Sequence, residues 1–325
     1  MHSTSESWAR RVPMPHQNIG LRGDQYIQAV LNRNPNELQR DVSNGSACIP
    51  AVMGSLRRTV IRPTHNHGVH PYIASNRHNY PWFEKSLGAL DGTKILAVTL
   101  ARLSNTYRNH YNRIAQNVLC LCDFDMKFPF VYTGWEGTTH DARVFLDALS
   151  RAQNGFPWPE PGYYYLVDSA FPCIQKFMPP YPRERYYRSD HYGARQFRSY
   201  KDYFNFRHSS LPNVIERTFA LLKNRFQILE AMPRYSPNKQ GMILTTCCTL
   251  HNLIKTITLN DEFIQHALGL QFNGQNMPGG EDVGSTEEVV DMSHESAGTM
   301  VAQRDGITIP MWENLNGDEC VLHIF

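Results

Sequence analysis

Apolar residues change their spacing several times along this 325-residue chain, and each change predicts an element. The runs Lys94 to Ala101, Asn117 to Cys122 and Pro129 to Thr133 are short, apolar and rich in β-branched and aromatic residues, so they predict three strands. Asp123 to Lys127, between the last two, has the polar composition of a hairpin turn. Ala142, Phe145, Leu146 and Leu149 then recur at helical spacing, predicting a helix over Asp141 to Leu149. Asn154 to Gly162 holds three Pro and two Gly and reads as a loop. Tyr163 to Val167 predicts a fourth strand with Asp168 at its end.

Residues 169–210 look irregular, aromatic and basic. A strong helix follows, with Asn213 as its cap and Ile215, Phe219, Leu222 and Phe226 as one apolar stripe. Glu216 stands one step off that stripe, and Met242 to Ile257 predicts another helix. Three strands in sequence fit an antiparallel meander, and a helical crossover adds a parallel partner. The fold class is therefore α/β: a mixed sheet flanked by helices, with an insert before the helix that carries Glu216. If the first and fourth strands are neighbours, Asp91 and Asp168 converge.

The flanks differ from this centre. Residues 1–48 are polar, with one short helix predicted over Asp24 to Leu31. Residues 62–81 hold three Pro and the histidines His65, His67, His70 and His78, whose spacing matches no closed zinc site. Past residue 270 the chain is rich in Gly, Asn and acid, which predicts a mostly disordered tail with an ordered patch at Ala297 to Trp312. The expected organisation is a shortened, partly helical or disordered region at 1–81, a central domain at 82–258 and the acidic tail at 259–325.

Composition sharpens this in one respect. The net charge of +2 hides a division. Residues 50–120 carry nine Lys/Arg against two Asp/Glu, and residues 183–234 carry eleven against five. Residues 281–325 carry one against ten. The basic stretches suit a phosphate backbone, and the acidic end suits a protein partner. Seven Cys without a regular framework suggest free thiols in a reducing compartment. No apolar run reaches the ~18 residues of a membrane span, and no signal-peptide pattern opens the chain, so an intracellular, non-membrane protein is expected.

Three acids stand where sites are built: Asp91 in Gly88-Ala89-Leu90-Asp91-Gly92-Thr93 at the start of the first strand, Asp168 at the end of the fourth, and Glu216 on the later helix. Converging carboxylates repel one another, and a hard divalent cation relieves that repulsion. Two such ions roughly 3.5–4 Å apart can activate an attacking water or hydroxyl and stabilise the leaving oxygen of a phosphodiester. Each acid also fits a structural role. Asp91 suits a turn, Asp168 a helix cap, and Glu216 a capping box with Asn213.

Longer motifs bear on that choice. Gly88 to Thr93, Gln116-Asn117-Val118-Leu119 with Cys122 to Asp125, and Gly134-Trp135-Glu136-Gly137 with His140 to Phe145 resemble successive blocks of the PIF/Harbinger transposase-derived nucleases, DDE superfamily endonucleases. Tyr164 to Phe171 with Pro179-Pro180-Tyr181, Phe204 to Phe219, Lys223, Arg225, Phe226 and Leu250-His251-Asn252 continue the family order over residues 82–255. The resemblance implies an RNase H-like fold and a nuclease dependent on Mg²⁺ or Mn²⁺, with Asp91, Asp168 and Glu216 as catalytic residues and metal ligands. Asp141 is a rival ligand, otherwise an N-cap or phosphate-loop support. Arg207, His208, Arg217, Lys223 and Arg225 are the candidate DNA contacts. Cys247, Cys248 and His251 lie in an apolar helix and fit a core role.

The sequence departs from the family at three places. Lys94 stands for a usual His, Pro212 for an Arg, and Ala220 for a Gly. Expected partners are DNA and a nuclear DNA-binding or chromatin protein, and the expected location is the nucleus, with cytoplasm as an addition. The alternative expectation is a catalytically weak or inactive chromatin or protein-interaction module, similar to plant Harbinger-derived or antagonist-of-Polycomb-like proteins.

Overall fold

The computed structural model describes residues 57–58, 60–62, 68–96, 115–186, 197–233, 235–257 and 291–322. The helix expected at Asp24 to Leu31 and the histidines His65 and His67 lie outside them. After a single helical turn, α1 (Pro71–Ala74), come strands β1 (Ser86–Leu96), β2 (Ala115–Cys122) and β3 (Phe130–Glu136). Helix α2 (Asp141–Ser150) crosses to β4 (Tyr164–Leu166), and β5 (Phe177–Met178) follows. Four helices complete the fold: α3 (Tyr200–Ser210), α4 (Asn213–Arg225), α5 (Pro237–Ile257) and α6 (His294–Leu322).

The strands lie in the order β3-β2-β1-β4-β5, with β1 antiparallel to β2, β2 antiparallel to β3, and β4 parallel to both β1 and β5. This is the RNase H-like mixed sheet, with the meander and helical crossover expected from the sequence. Side chains alternate along each strand, so each face has its own core. Ala89, Ile95, Val118, Cys120, Tyr164 and Leu166 pack with α3, α4 and α5. Leu90, Leu119, Leu121, Tyr165 and Phe177 pack with Val144, Phe145 and Ala148 of α2. Strand β2 is buried along its whole length.

Several elements differ from the sequence expectation. Strand β1 begins at Ser86, so Asp91 lies in mid-strand and not at its start. The aromatic, basic stretch holds α3, whose buried face is largely polar: Asp202, Asn205, His208 and Ser209 all point inward. Each finds a partner there. Asn205 binds the backbone of Tyr181 twice, accepting its N–H at 2.7 Å and donating to its carbonyl at 2.9 Å. Asp202 pairs with Arg185. Asn213 is the first helical residue of α4 and not its cap, because the N-cap position falls on Pro212, which offers no side-chain bond.

Of the acidic tail the structure describes residues 291–322. The patch read at Ala297 to Trp312 is part of α6, with Met300 and Met311 buried in the main core. Arg304 donates to the carbonyls of Pro179 and Pro180 at 3.0 Å and lies 3.9 Å above the Tyr181 ring. On the N-terminal side, Ile73 is fully buried in the same core. Both ends of the described chain thus share the central core.

The motif Leu250-His251-Asn252 acts as a clamp. Asn252 accepts from the Phe128 N–H at 2.8 Å and donates to its carbonyl at 2.9 Å, while His251 Nε2 donates to the Met126 carbonyl at 2.7 Å. These bonds fix the β2–β3 hairpin turn onto α5. Cys247 and Cys248 are fully buried, in the core role expected of them.

Candidate acidic active site

The register of the sheet places the first two acids. Ala89 of β1 pairs with Leu166 of β4, and two residues further along each chain stand Asp91 and Asp168. Parallel neighbours are about 4.8 Å apart, so the two residues stand side by side, Asp91 in mid-strand and Asp168 just past the end of β4. Asp91 shares the face of Ala89, on which α4 packs. Glu216 lies in the first turn of α4, where the helix dipole favours a negative charge. With no cap at Asn213 there is no capping box for Glu216 to complete.

Asp141 reaches the same neighbourhood from the other face. It is the first residue of α2, not its N-cap, which is His140. Its Oδ1 accepts from Asn117 Nδ2 at 2.5 Å. Its carboxyl group fills the space beneath Gly92, where an added Cβ would stand 2.6 Å from Asp141 Cγ. Asn117 and Gly92 were not singled out from sequence. The signal was a polar amide inside the apolar run Asn117 to Cys122 and a glycine inside a strand.

The charges act on one another. Burial, then Asp168, Asp141 and Glu216, push Asp91 well above the ordinary carboxylate range, against the Gly92 N–H that donates to its Oδ1 at 2.7 Å. Asp168 is raised by burial and by Asp141, although its Oδ1 accepts the Ala170 N–H at 2.8 Å. That bond makes a local turn, and no helix follows for Asp168 to cap. Glu216 is raised by loss of surrounding water and by Asp168, yet its side chain keeps an exposed edge that screens the effect.

The four acids are all carboxylates, the oxygen donors that hard divalent cations prefer, with no sulfur or imidazole among them. Asp91 and Asp168 each commit only Oδ1 to a backbone N–H. Among the described residues no group of three or more His, Cys, Asp or Glu side chains is placed closely enough to hold a metal ion. What the fold supplies is a convergence of mutually repelling acids.

The five candidate DNA contacts separate. Arg225 is 1% exposed, with its guanidinium 3.2 Å from His251 Nδ1, so it faces the core and reaches no phosphate. His208 is also fully buried, bonds the Met178 carbonyl at 2.9 Å, and is held neutral by burial, with its pKa lowered to about 4. Lys223 turns toward the sheet, donating to Thr93 Oγ1 at 3.1 Å, and burial lowers its pKa. Arg217 and Arg207 remain part-exposed. Lys94 donates to the Gly137 carbonyl at 2.6 Å.

Arg225→Ala is therefore expected to lower stability by about 2–4 kcal/mol, because it opens a cavity and strips a buried imidazole of its donor. DNA affinity of the folded protein should stay unchanged. A urea melt and a binding titration on one preparation check both.

Asp91 and Asp168 thus stand level on adjacent parallel strands of an RNase H-like sheet, and Glu216 stands on α4, which packs on β1 and β2. The chain belongs to the DDE superfamily endonuclease family, whose model matches residues 90–252, half of the chain. It is similar to proteins named "Putative nuclease HARBI1". The mouse protein (Mus musculus) is 29% identical over 153 residues, 46% of this chain and 40% of its own length. The human protein is 30% identical over 156 residues, with the same shares. The Xenopus laevis protein is 41% identical over 171 residues, 51% of this chain and 45% of its own. The chain thus spans less than half the length of these relatives. No solved structure matches it. Among the described residues no helix is long and apolar enough to cross a membrane.

Proposed function

We propose that the chain is a divalent-metal-dependent DNA endonuclease of the Harbinger transposase type, a hydrolase of phosphodiester bonds. The observation that carries this is the register that sets Asp91 level with Asp168 on adjacent parallel strands, on the face where α4 packs; burial and the charges of Asp168, Asp141 and Glu216 raise the Asp91 carboxyl. Such crowding of acids costs stability unless a cation offsets it. Asp91 and Asp168 would hold the cation from the sheet and Glu216 from α4, and Asp141 would support the group from beneath Gly92. When bound, Mg²⁺ or Mn²⁺ supplies the positive charge that makes a phosphodiester susceptible to hydrolysis. Lys223, fixed beside Thr93 two residues beyond Asp91, and Arg217 on the outer side of α4 would orient the nucleic-acid backbone. The reading carries with it a nuclear location, which imaging of a fluorescently tagged full chain tests.

Purified protein should nick supercoiled plasmid in Mn²⁺, and Asp168→Asn should reduce nicking to background, a loss of roughly 10²-fold or more. A variant that cuts as fast as wild type overturns the assignment. Absence of cleavage by wild type, with partner binding that survives Asp168→Asn, would replace it with the interaction module. Running DNA and RNA substrates side by side fixes the substrate class.

A further inference from the structure

We infer that Arg77, His78 and Arg207 form a second anion site, outside the acidic centre, that clamps a backbone phosphate of DNA flanking the cleaved bond. The inference rests on reading the substrate as DNA.

The site is built from two segments far apart in sequence. The first is the turn before β1. Asn76 accepts from the backbone N–H of Asn79 at 2.8 Å and of Tyr80 at 3.0 Å, and its side chain accepts from the His78 N–H at 2.9 Å. Asn79 is buried and anchors the turn, while Arg77, His78 and Tyr80 face solvent. The second segment is the last turn of α3. There Arg207 Nε donates to the Tyr203 hydroxyl at 3.1 Å, and the guanidinium lies 5.3 Å from the Tyr203 ring and 6.0 Å from Phe206. Its Nη2 meets His78 Nδ1. Sequence spacing pairs Arg207 with its neighbour His208, but that imidazole is buried and the real partner is His78.

Among the described residues no carboxylate lies within 4.0 Å of a charged nitrogen of Arg77, His78 or Arg207. Arg207, then burial, then Arg77 lower the His78 pKa, which favours the neutral imidazole that accepts from Arg207. The two guanidiniums carry the charge of the site, and an anion seated beside them is attracted by both. Two guanidiniums, one of them fixed in orientation by aromatic rings, suit the forked geometry of a phosphate. Tyr80, 45% exposed on the same turn, offers a ring to a sugar or base.

The placement suits a flanking nucleotide. Arg207 lies in the last turn of α3, the helix before α4 and its Glu216, and His78 precedes the strand that carries Asp91. Both segments lead directly into the elements of the acidic centre.

The test uses full-length Asp168→Asn protein, duplex oligonucleotide and fluorescence anisotropy over a salt series without divalent metal. Arg77→Glu and Arg207→Gln should each weaken binding about 10-fold and lower the salt slope by about one phosphate contact. Arg207→Lys should retain part of the affinity, and all variants should melt with the parent. Parent-like affinity and slope in both Arg77→Glu and Arg207→Gln overturn this inference and leave the nuclease reading standing. No duplex binding by the parent overturns both.

Discussion

Gly88→Ala is expected to cost the protein about 3–5 kcal/mol, the largest loss of any single methyl group added to this sheet. An added Cβ would stand 2.2 Å from the Cys122 carbonyl oxygen and 3.1 Å from Asp123 Cα. Both obstacles are backbone, so no side chain can turn aside. The residue also has φ +152, which strains any side-chain-bearing residue. The neighbouring pair Ala89 and Cys122 would have to part, and Asp91 three residues on would move with its strand. Gly134 is the control. It has φ +107 but nothing within 4 Å of an added Cβ, so Gly134→Ala should cost only about 1 kcal/mol. Thermal melts of both variants decide. A Gly88→Ala protein that melts within a degree of wild type would show that β1 and β2 pair differently from this register.

Much of this arrangement was legible in the chain, for identifiable reasons. The apolar runs at Asn117 to Cys122 and Tyr163 to Val167 are strands because both of their faces meet helices, and only a crossover through Asp141 to Ser150 sets the fourth strand beside the first. That topology is why Asp91 and Asp168 converge. Helix α3 was illegible because burial there does not follow hydrophobicity. Asp202, Asn205 and His208 point inward, each satisfied by a partner that only the tertiary structure supplies. Strand β5 has two residues and no period to detect. In α6 the residues that pack, Met300, Arg304, Thr308 and Met311, fall inside the patch read at Ala297 to Trp312, while the helix that carries them extends beyond it.

Arg225 is a different case. It lies three residues after Leu222 and four after Leu221, on the stripe that the spacing marks as buried. Its charge argued for the surface, and the spacing was correct. Asp141 shows the converse. Sequence order set it apart from the other acids, but a glycine at 92 lets its carboxyl sit directly beneath β1. The electrostatic field at Asp91 therefore has contributions from both faces of the sheet, which no linear motif displays.

That field makes Asp91→Asn a variant with effects of opposite sign. Folding raises the Asp91 pKa through burial and through Asp168, Asp141 and Glu216, so the folded chain binds this proton more tightly than the unfolded chain does. Stability from this group is greatest below the ordinary carboxylate value and falls as pH rises toward the folded-state value. At pH 7 without metal, a neutral amide of the same size removes the repulsion, and Asp91→Asn should melt higher than wild type, by roughly 2–4 °C for each kcal/mol relieved. The advantage should shrink as the pH is lowered toward 4. Mn²⁺ should stabilise wild type by an amount that grows with its concentration and with pH, because the cation competes with protons for the carboxylates. It should do little for Asp91→Asn, whose nicking should also drop by about 10²-fold or more. Differential scanning fluorimetry in EDTA and across a Mn²⁺ series, from pH 5 to 8, reads all of these. A variant less stable than wild type in EDTA, or one that keeps the full Mn²⁺ shift, would remove Asp91 from the centre of the site.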